Sequence, residues 1–340
     1  MRYGHRLCLS LIAAGSFLAA ASGASALDTR SPEVAGFIDQ MVARDAYDPR
    51  TLRRILGAAR LEPAIVAAME RPAEQVLPWY RYRPIFVNER RIQEGVDFWI
   101  AHRRELRRAS ERTGVAPQYL VAILGVETYY GRLTGGYRVI DALATLSFDY
   151  PPRAAFFRGQ LEQFLLLARD HAFDPLTVRG SYAGAMGAPQ FMPSAYRRFG
   201  VDATVDGRVD LWSDWPDVFD SIGYYLRENG WVDGGPVLRD AVLGAAATAT
   251  APTTLLGPPT TVGALQAAGV RIVDAPGPDS RAWLVPAQQP QGLQWRIGFE
   301  NFHAITRYNR SPLYAMAVHD LAVALRQRVP ATPLALGRTR

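Results

Sequence analysis

The stretch from Leu120 to Gly131 puts a carboxylate where a core residue belongs. Leu120, Ile123, Leu124 and Glu127 fall at i, i+3, i+4 and i+7. That spacing predicts one stripe of a helix, and such a stripe faces the core. Burying an ionised carboxylate alone is costly, so a group in this position either pairs with a cation or keeps its proton. Gly131 is the residue type that ends helices, which sets Glu127 near a helix C-terminus beside Tyr129 and Tyr130. Two readings follow. Glu127 is a structural partner of an arginine, or it is a general acid that holds its proton in a dry pocket, as glycosidic cleavage requires.

The compartment is read from the first residues. Arg2 and Arg6 precede a largely apolar run from Leu9 to Ala20, and Ala24-Ser25-Ala26 closes it with small residues. This is the pattern of a secretory signal over 1–26, with an apolar run short for a membrane span. The single cysteine, Cys8, lies inside that segment, so the mature chain has no thiol for a disulfide framework or a Cys-based metal site. About 314 residues remain, enough for a large core. The formal charge of +6 falls to +4 without the two leading arginines, and every basic side chain is Arg. The arginines are scattered rather than massed with aromatics, so nucleic-acid binding is not expected.

Along the chain the pattern is mostly helical. Short helices are expected from Ser31 to about Arg71, on stripes such as Val34, Phe37, Ile38 and Met41. Leu77 to Phe86 carries Pro78 and Pro84 and reads as a loop or extended segment. One longer helix is expected from about Asn88 to Arg112, with Arg103, Arg104, Arg107 and Arg108 on a solvated face. Arg138 to Arg153 leads into a helix marked by Phe157, Leu161, Phe164, Leu165 and Ala168. Asp217 to Asn229 is another helix, with Gly230 as its stop. From Leu243 to Pro259 the composition shifts to Ala, Thr and Pro, as in a linker or the start of an insertion. A short helix and strands follow around Trp283 to Val285 and Trp295 to Ile297. Ser311 is placed to cap a last helix with Pro312 in its first turn.

Two further stretches carry chemistry. In Ser181 to Pro193, Gly184, Gly187 and Pro189 break regular structure and let backbone approach a ligand, among a hydroxyl, an amide and a ring. In Asp202 to Trp212, oxygen side chains at positions one, three and five precede a Gly at six, as in half of an EF-hand calcium loop. Thr204 replaces the usual acid or amide, and Ser213 stands where a bidentate Glu is expected. Asp214 or Asp217 can substitute in a longer loop. A calcium site and an Asx-rich turn both remain open here.

Taken together, these stretches resemble the MltB family of lytic murein transglycosylases, whose core is similar to goose-type lysozyme. The resemblance rests on Gly125-Val126-Glu127-Thr128 with Gly131-Arg132, on Arg138 to Leu146, on Gly180 to Gly187, on Gln190 to Pro193 and on Ile305 to Ser311. It covers about Trp79 to Gln327. It implies a mainly α, lysozyme-like helical core with an N-terminal helical subdomain and a small β-containing insertion. The expected division is a signal peptide at 1–26, a helical subdomain at 27–115, a catalytic core at 116–240 and the insertion at 241–298. A return to the core at 299–328 and a tail at 329–340 complete it.

By the same resemblance, Glu127 matches the family's single catalytic Glu. Saccharide contacts map onto Tyr82, Arg153, Ser181, Met186, Gln190, Phe191, Tyr225, Tyr308, Asn309 and Tyr314. The family's calcium loop falls on Asp202, Thr204, Asp206, the Arg208 carbonyl and Asp217, here with one extra residue after Trp212. Family members often show two adjacent arginines where this chain has Pro152-Arg153, which bears on binding of a peptide or lactyl carboxylate. The resemblance implies a periplasmic monomer acting on peptidoglycan glycan strands, with cell-wall synthesis machinery as a further partner. No cofactor is expected for the chemistry, and calcium only as a structural ion. The rival readings are a lysozyme-type hydrolase using the same Glu and a non-catalytic wall-binding protein.

Overall fold

The computed structural model describes residues 24–70, 77–245 and 256–330. The signal expectation for 1–26 lies outside them except at its last three residues, as does the tail after Pro330. Two of those three, Ser25–Ala26 (β1), pair antiparallel with Arg60–Leu61 (β2).

In chain order the helices are α1 (Pro32–Asp45), α2 (Pro49–Gly57), α3 (Pro63–Glu70), α4 (Trp79–Phe86), α5 (Glu89–Ala101) and α6 (Arg103–Thr113). Next come α7 (Pro117–Thr128), α8 (Val139–Phe148), α9 (Ala154–Asp170), α10 (Pro193–Phe199) and α11 (Trp215–Glu228). Last are α12 (Val262–Ala267), α13 (Glu300–Tyr308) and α14 (Pro312–Arg328). The chain divides into two compact units. One joins the described parts of Met1–Val76 to Glu127–Tyr225, and the other joins Leu77–Val126 to Leu226–Arg340.

The first unit is built on α8 and α9. Phe157, Leu161, Phe164 and Leu165 of α9 are at most 1% exposed. Each such side chain contributes roughly 1.5–3 kcal/mol through burial. The first turn of α8 carries Asp141, which accepts from Arg138 Nε at 2.6 Å, from Arg138 Nη2 at 2.7 Å and from the Arg60 amide at 2.8 Å. The Arg-Val-Ile-Asp motif therefore ties strand β2 to the helix through one buried carboxylate. Tyr137–Arg138 (β3) pairs antiparallel with Arg179–Gly180 (β4), which leads the chain into the Ser181 loop.

The second unit contains a five-stranded antiparallel sheet. Its strands are β5 (Leu238–Leu243), β6 (Thr260–Thr261), β7 (Val270–Ile272), β8 (Arg281–Gln289) and β9 (Gly292–Gly298), in the order β6-β8-β9-β5-β7. Ala241, Val262, Leu265, Val270, Ile272, Leu284 and Ile297 form its own small core. Asp320 of α14 accepts from Arg83 Nε of α4 at 2.6 Å and from Arg296 Nη1 of β9 at 2.8 Å. One buried carboxylate thus joins three elements of this unit.

Four local expectations change. Leu77–Phe86 is not extended: α4 forms from Trp79. Pro78 stands before it, and its carbonyl accepts from Arg81 N and Tyr82 N at 2.9 and 3.1 Å. Pro84 sits late in an eight-residue helix, where its missing N–H removes a single bond. The single helix expected to Arg112 is two, parted at His102, whose ψ is 23°. The run from Val139 to Phe148 is itself a helix. Strand β5 begins at Leu238, earlier than the insertion was expected to start. Ser311 caps α14 as expected, accepting from Tyr314 N at 3.4 Å.

Candidate active site

Helix α7 delivers Glu127 on its last turn. Leu120 to Leu124 are fully buried and Val126 is 6% exposed, so the helix is core on all sides rather than along one stripe. Glu127 is half-buried between buried Val126 and Thr128. The helix then stops hard. Tyr129, Tyr130 and Gly131 have φ of 53, 62 and 82°, three successive left-handed residues of which two are not glycine. Such conformations cost roughly 1–3 kcal/mol each for residues with a Cβ and persist only where surroundings hold them.

Thr128 holds the turn. Its hydroxyl donates to the Ala188 carbonyl at 2.8 Å and accepts from Gly131 N at 3.0 Å. Its own carbonyl accepts from Leu133 N at 2.9 Å. A Cβ on Gly131 would lie 2.6 Å from Trp215 Cη2, so only glycine lets the turn seat there. In the second unit, Arg91 Nη1 donates to the Gly125 carbonyl at 2.5 Å. A cation there suits the negative end of the α7 dipole.

The loop that receives Thr128 is the second sequence motif. Ser181 Oγ accepts from Ala185 N at 3.0 Å and Ala183 N at 3.3 Å, closing a tight turn. Met186 and Phe191 exchange backbone hydrogen bonds at 2.9 and 3.0 Å. Between them Gly187 has φ 69°, and a Cβ there would lie 2.5 Å from the Leu211 carbonyl oxygen. Gln190, also left-handed at φ 52°, donates from Nε2 to Thr134 O and Gly187 O, both at 3.0 Å. Phe191 packs on Tyr225 with ring centroids 5.6 Å apart. The first unit therefore gathers Glu127, Ser181, Met186, Gln190, Phe191 and Tyr225 around one hydrogen-bonded loop. Arg153 lies in the turn Pro151–Arg153, its guanidinium 4.5 Å from the Phe156 ring centre and 5.2 Å from that of Phe157.

The remaining predicted contacts belong to the second unit. Tyr82 and Tyr314 are 0% and 1% exposed, and Tyr308 and Asn309 are also buried. Asn309 Oδ1 accepts from Ser311 N at 3.2 Å, at the entrance to α14. Sequence reasoning missed Thr128 and Trp215. The motif containing Thr128 was quoted, but a hydroxyl that bonds to a distant carbonyl leaves no periodic signal.

The acidic loop is a set of Asx turns. Asp202 accepts from Gly207 N at 2.8 Å and Asp206 N at 3.2 Å. What desolvation it suffers acts upward, but backbone donors from Gly207, Asp206 and Val205 outweigh this and hold its carboxyl below the usual range. Asp206 accepts from Arg208 N at 2.9 Å. Asp217 is 1% exposed and accepts from Ala203 N at 2.7 Å and Asp210 N at 2.9 Å, bracing the loop from inside. Burial pushes the Asp217 carboxyl up. Thr204 Oγ1 lies 3.5 Å from Asp202 Oδ1 and 3.4 Å from Asp214 Oδ2, so Asp214 is the later acid that faces the front of the loop. Among the described residues no group of three or more Asp, Glu, His or Cys side chains is arranged to hold a metal ion. The donors are hard oxygens of the kind calcium takes, with Thr204 and a carbonyl beside two acids.

The first unit thus sets a helix-end carboxylate next in sequence to the threonine that bonds a glycine-rich loop, on a lysozyme-like helical scaffold. The model of the transglycosylase SLT domain matches residues 29–323. Membrane-bound lytic murein transglycosylase B of Escherichia coli K12 is 41% identical over 306 residues, covering 87% of this chain and 83% of the relative. Soluble lytic transglycosylase SltB1 of Pseudomonas aeruginosa superposes with a TM-score of 0.83 at 44% identity, covering 87% of this chain and 99% of that one. The Escherichia coli lytic transglycosylase Slt35 in complex with calcium gives 0.82 at 39% identity, covering 90% and 96%. The chain belongs to the SLT-domain family and acts as a lytic murein transglycosylase, a lyase of peptidoglycan glycosidic bonds. Among the described residues no helix is long and apolar enough to cross a membrane.

Proposed function

We propose that Glu127 serves as both the acid and the base of this reaction. The supporting observation is its setting: a half-buried carboxylate on the last turn of a buried helix, held by the Thr128-pinned turn against the Ser181–Phe191 loop. In the first step Glu127 enters protonated and donates to the oxygen linking N-acetylmuramic acid to N-acetylglucosamine. The bond breaks, the leaving sugar takes the proton as a hydroxyl, and positive charge develops at the anomeric carbon. The muramic N-acetyl group can stabilise that carbon, so a second carboxylate is not required. In the second step ionised Glu127 takes the proton of the same sugar's 6-hydroxyl, whose oxygen closes on the anomeric carbon. The product is a 1,6-anhydromuramoyl end, and no water is consumed. Ser181, Gln190, Phe191 and Tyr225 are the first unit's candidates to hold the strand; the family resemblance also names Tyr82, Tyr308, Asn309 and Tyr314, which lie in the second unit. The signal pattern supports action in the periplasm.

The test is a digest of purified sacculi by wild type and Glu127→Gln, read by mass spectrometry. The wild type is expected to release anhydro fragments one water lighter than hydrolysis products. The variant, which cannot hold the proton, is expected to lose at least about 100-fold in rate. Full activity of Glu127→Gln would sink the assignment, and hydrated ends would favour the hydrolase reading.

The calcium reading is separate. Asp202, Thr204, Asp206 and the Arg208 carbonyl would form the front of the site, with Asp214 closing it and Asp217 bracing from behind. Calorimetry should give one calcium per chain for wild type and much weakened binding for Asp214→Asn. No heat with wild type would make this loop a set of Asx turns only.

A further inference from the structure

The first unit has a second concave surface, bordered by residues of β2, β3 and β4. Its cavity is about 440 Å³, and Arg60, Glu62, Gly136, Tyr137, Arg138, Asp141 and Arg179 line it. Asp141 already takes up the Arg138 cation through two hydrogen bonds. That leaves two guanidinium groups, Arg60 and Arg179, and one carboxylate, Glu62, to face a ligand. Arg60, Tyr137 and Arg179 are exposed. Arg179 is also aimed: its Nη1 donates to the Gly136 carbonyl at 2.5 Å, which fixes the plane of the fork.

This cavity adjoins the candidate active site through the chain that separates them. Thr134 accepts from Gln190 Nε2, and Gly135 lies so close to Gly180 that a Cβ would sit 2.1 Å from its carbonyl oxygen. The segment 134–138 therefore meets the Ser181–Phe191 loop region at Thr134 and Gly135 and lines the cavity at Gly136, Tyr137 and Arg138. A murein strand carries a peptide on each muramic sugar, with free carboxylates and, on its diamino acid, an amine. Two cations beside one acid match that charge pattern, and arginine forks recognise carboxylates through paired hydrogen bonds.

We propose that the cavity bordered by Arg60, Glu62, Tyr137 and Arg179 docks the peptide stem of the strand being cut, its carboxylates on the two arginines and its amine on Glu62. The assignment rests on the murein-cleaving reading above and names the part of the substrate that this surface takes.

The experiment uses the full chain and two substrates: glycan strands with their stems, and the same strands after enzymatic removal of the stems. For the Arg60→Ala/Arg179→Ala variant, kcat/KM on stem-bearing strands should fall about tenfold, mainly through KM. Cleavage of stripped strands should stay within about twofold of wild type, which also shows that the variant is folded. Glu62→Gln should erase the preference of wild type for native stems over stems whose amines are acetylated. Equal losses on both substrates, or none on either, would overturn the stem site, as would a Glu62→Gln variant that still discriminates. Failure of wild type to cut either substrate would instead strike at the murein reading itself.

Discussion

Thr128 bears more of the site than its chemistry suggests. It reacts with nothing, yet its hydroxyl both donates to Ala188 O and accepts from Gly131 N, and it is 1% exposed. Thr128→Ala leaves a buried carbonyl and a turn N–H without that partner, which costs roughly 1–3 kcal/mol. The same change frees the left-handed run at Tyr129 and Tyr130, so Glu127 loses its fixed aim. Stability in denaturant and the rate of sacculus digestion should fall together in Thr128→Ala, and Thr128→Ser should restore most of both. Normal digestion by a destabilised Thr128→Ala would show that the turn does not position the carboxylate. The position of Glu127 at the end of a buried helix was legible in the sequence because its spacing put a charge among apolar residues. Its support was not, because a side chain that bonds to backbone 60 residues away leaves no local pattern.

At the scale of elements, periodicity found what burial dictates and missed what context overrides. Helices α1 to α3, α9 and α14 lie where their apolar spacing put them, and Ser311 caps α14 as expected from its type. Helix α4 was hidden by its prolines. Both are tolerable because one precedes the first turn and the other comes near the end. The break at His102 left no trace in the sequence, since Trp99 and Leu106 keep helical spacing across it. Helix α7 looked amphipathic from four residues. In the fold, however, Val121 and Ala122 are as buried as Leu120 and Ile123, and only the ends of the helix show polarity. Strand β5 was missed because Leu238–Leu243 alternates weakly and carries two charges. Its place is set by backbone pairing with β9 on one side and β7 on the other. The acidic loop was legible as a run of oxygen donors, but which later acid faces Thr204 depends on side-chain direction, which spacing does not encode.

For the molecule as a whole, acid is the condition that should separate folded from unfolded chain most clearly, through a group outside the active site. His319 of α14 is half-buried in the second unit, and Tyr119 of α7 donates its hydroxyl hydrogen to a neutral His319 Nδ1 at 3.0 Å. Burial holds the imidazole down to about 4. Asp320 pulls it up, and Arg296 and Arg239 push it further down. An unfolded chain binds this proton near 6.5, so between these values the unfolded state carries more protons than the folded one. The neutral histidine's contribution is therefore complete above about pH 6.5 and is lost as pH falls toward and through 4. Over that window it amounts to about 3 kcal/mol. Protonation also turns Nδ1 from acceptor to donor, which breaks the bond from Tyr119. Denaturant unfolding measured from pH 7 to pH 4 should show wild type losing about 3 kcal/mol more than His319→Asn, whose side chain can accept from Tyr119 without taking a proton. Parallel pH profiles for the two proteins would mean that His319 does not govern acid stability, whatever their difference at neutral pH.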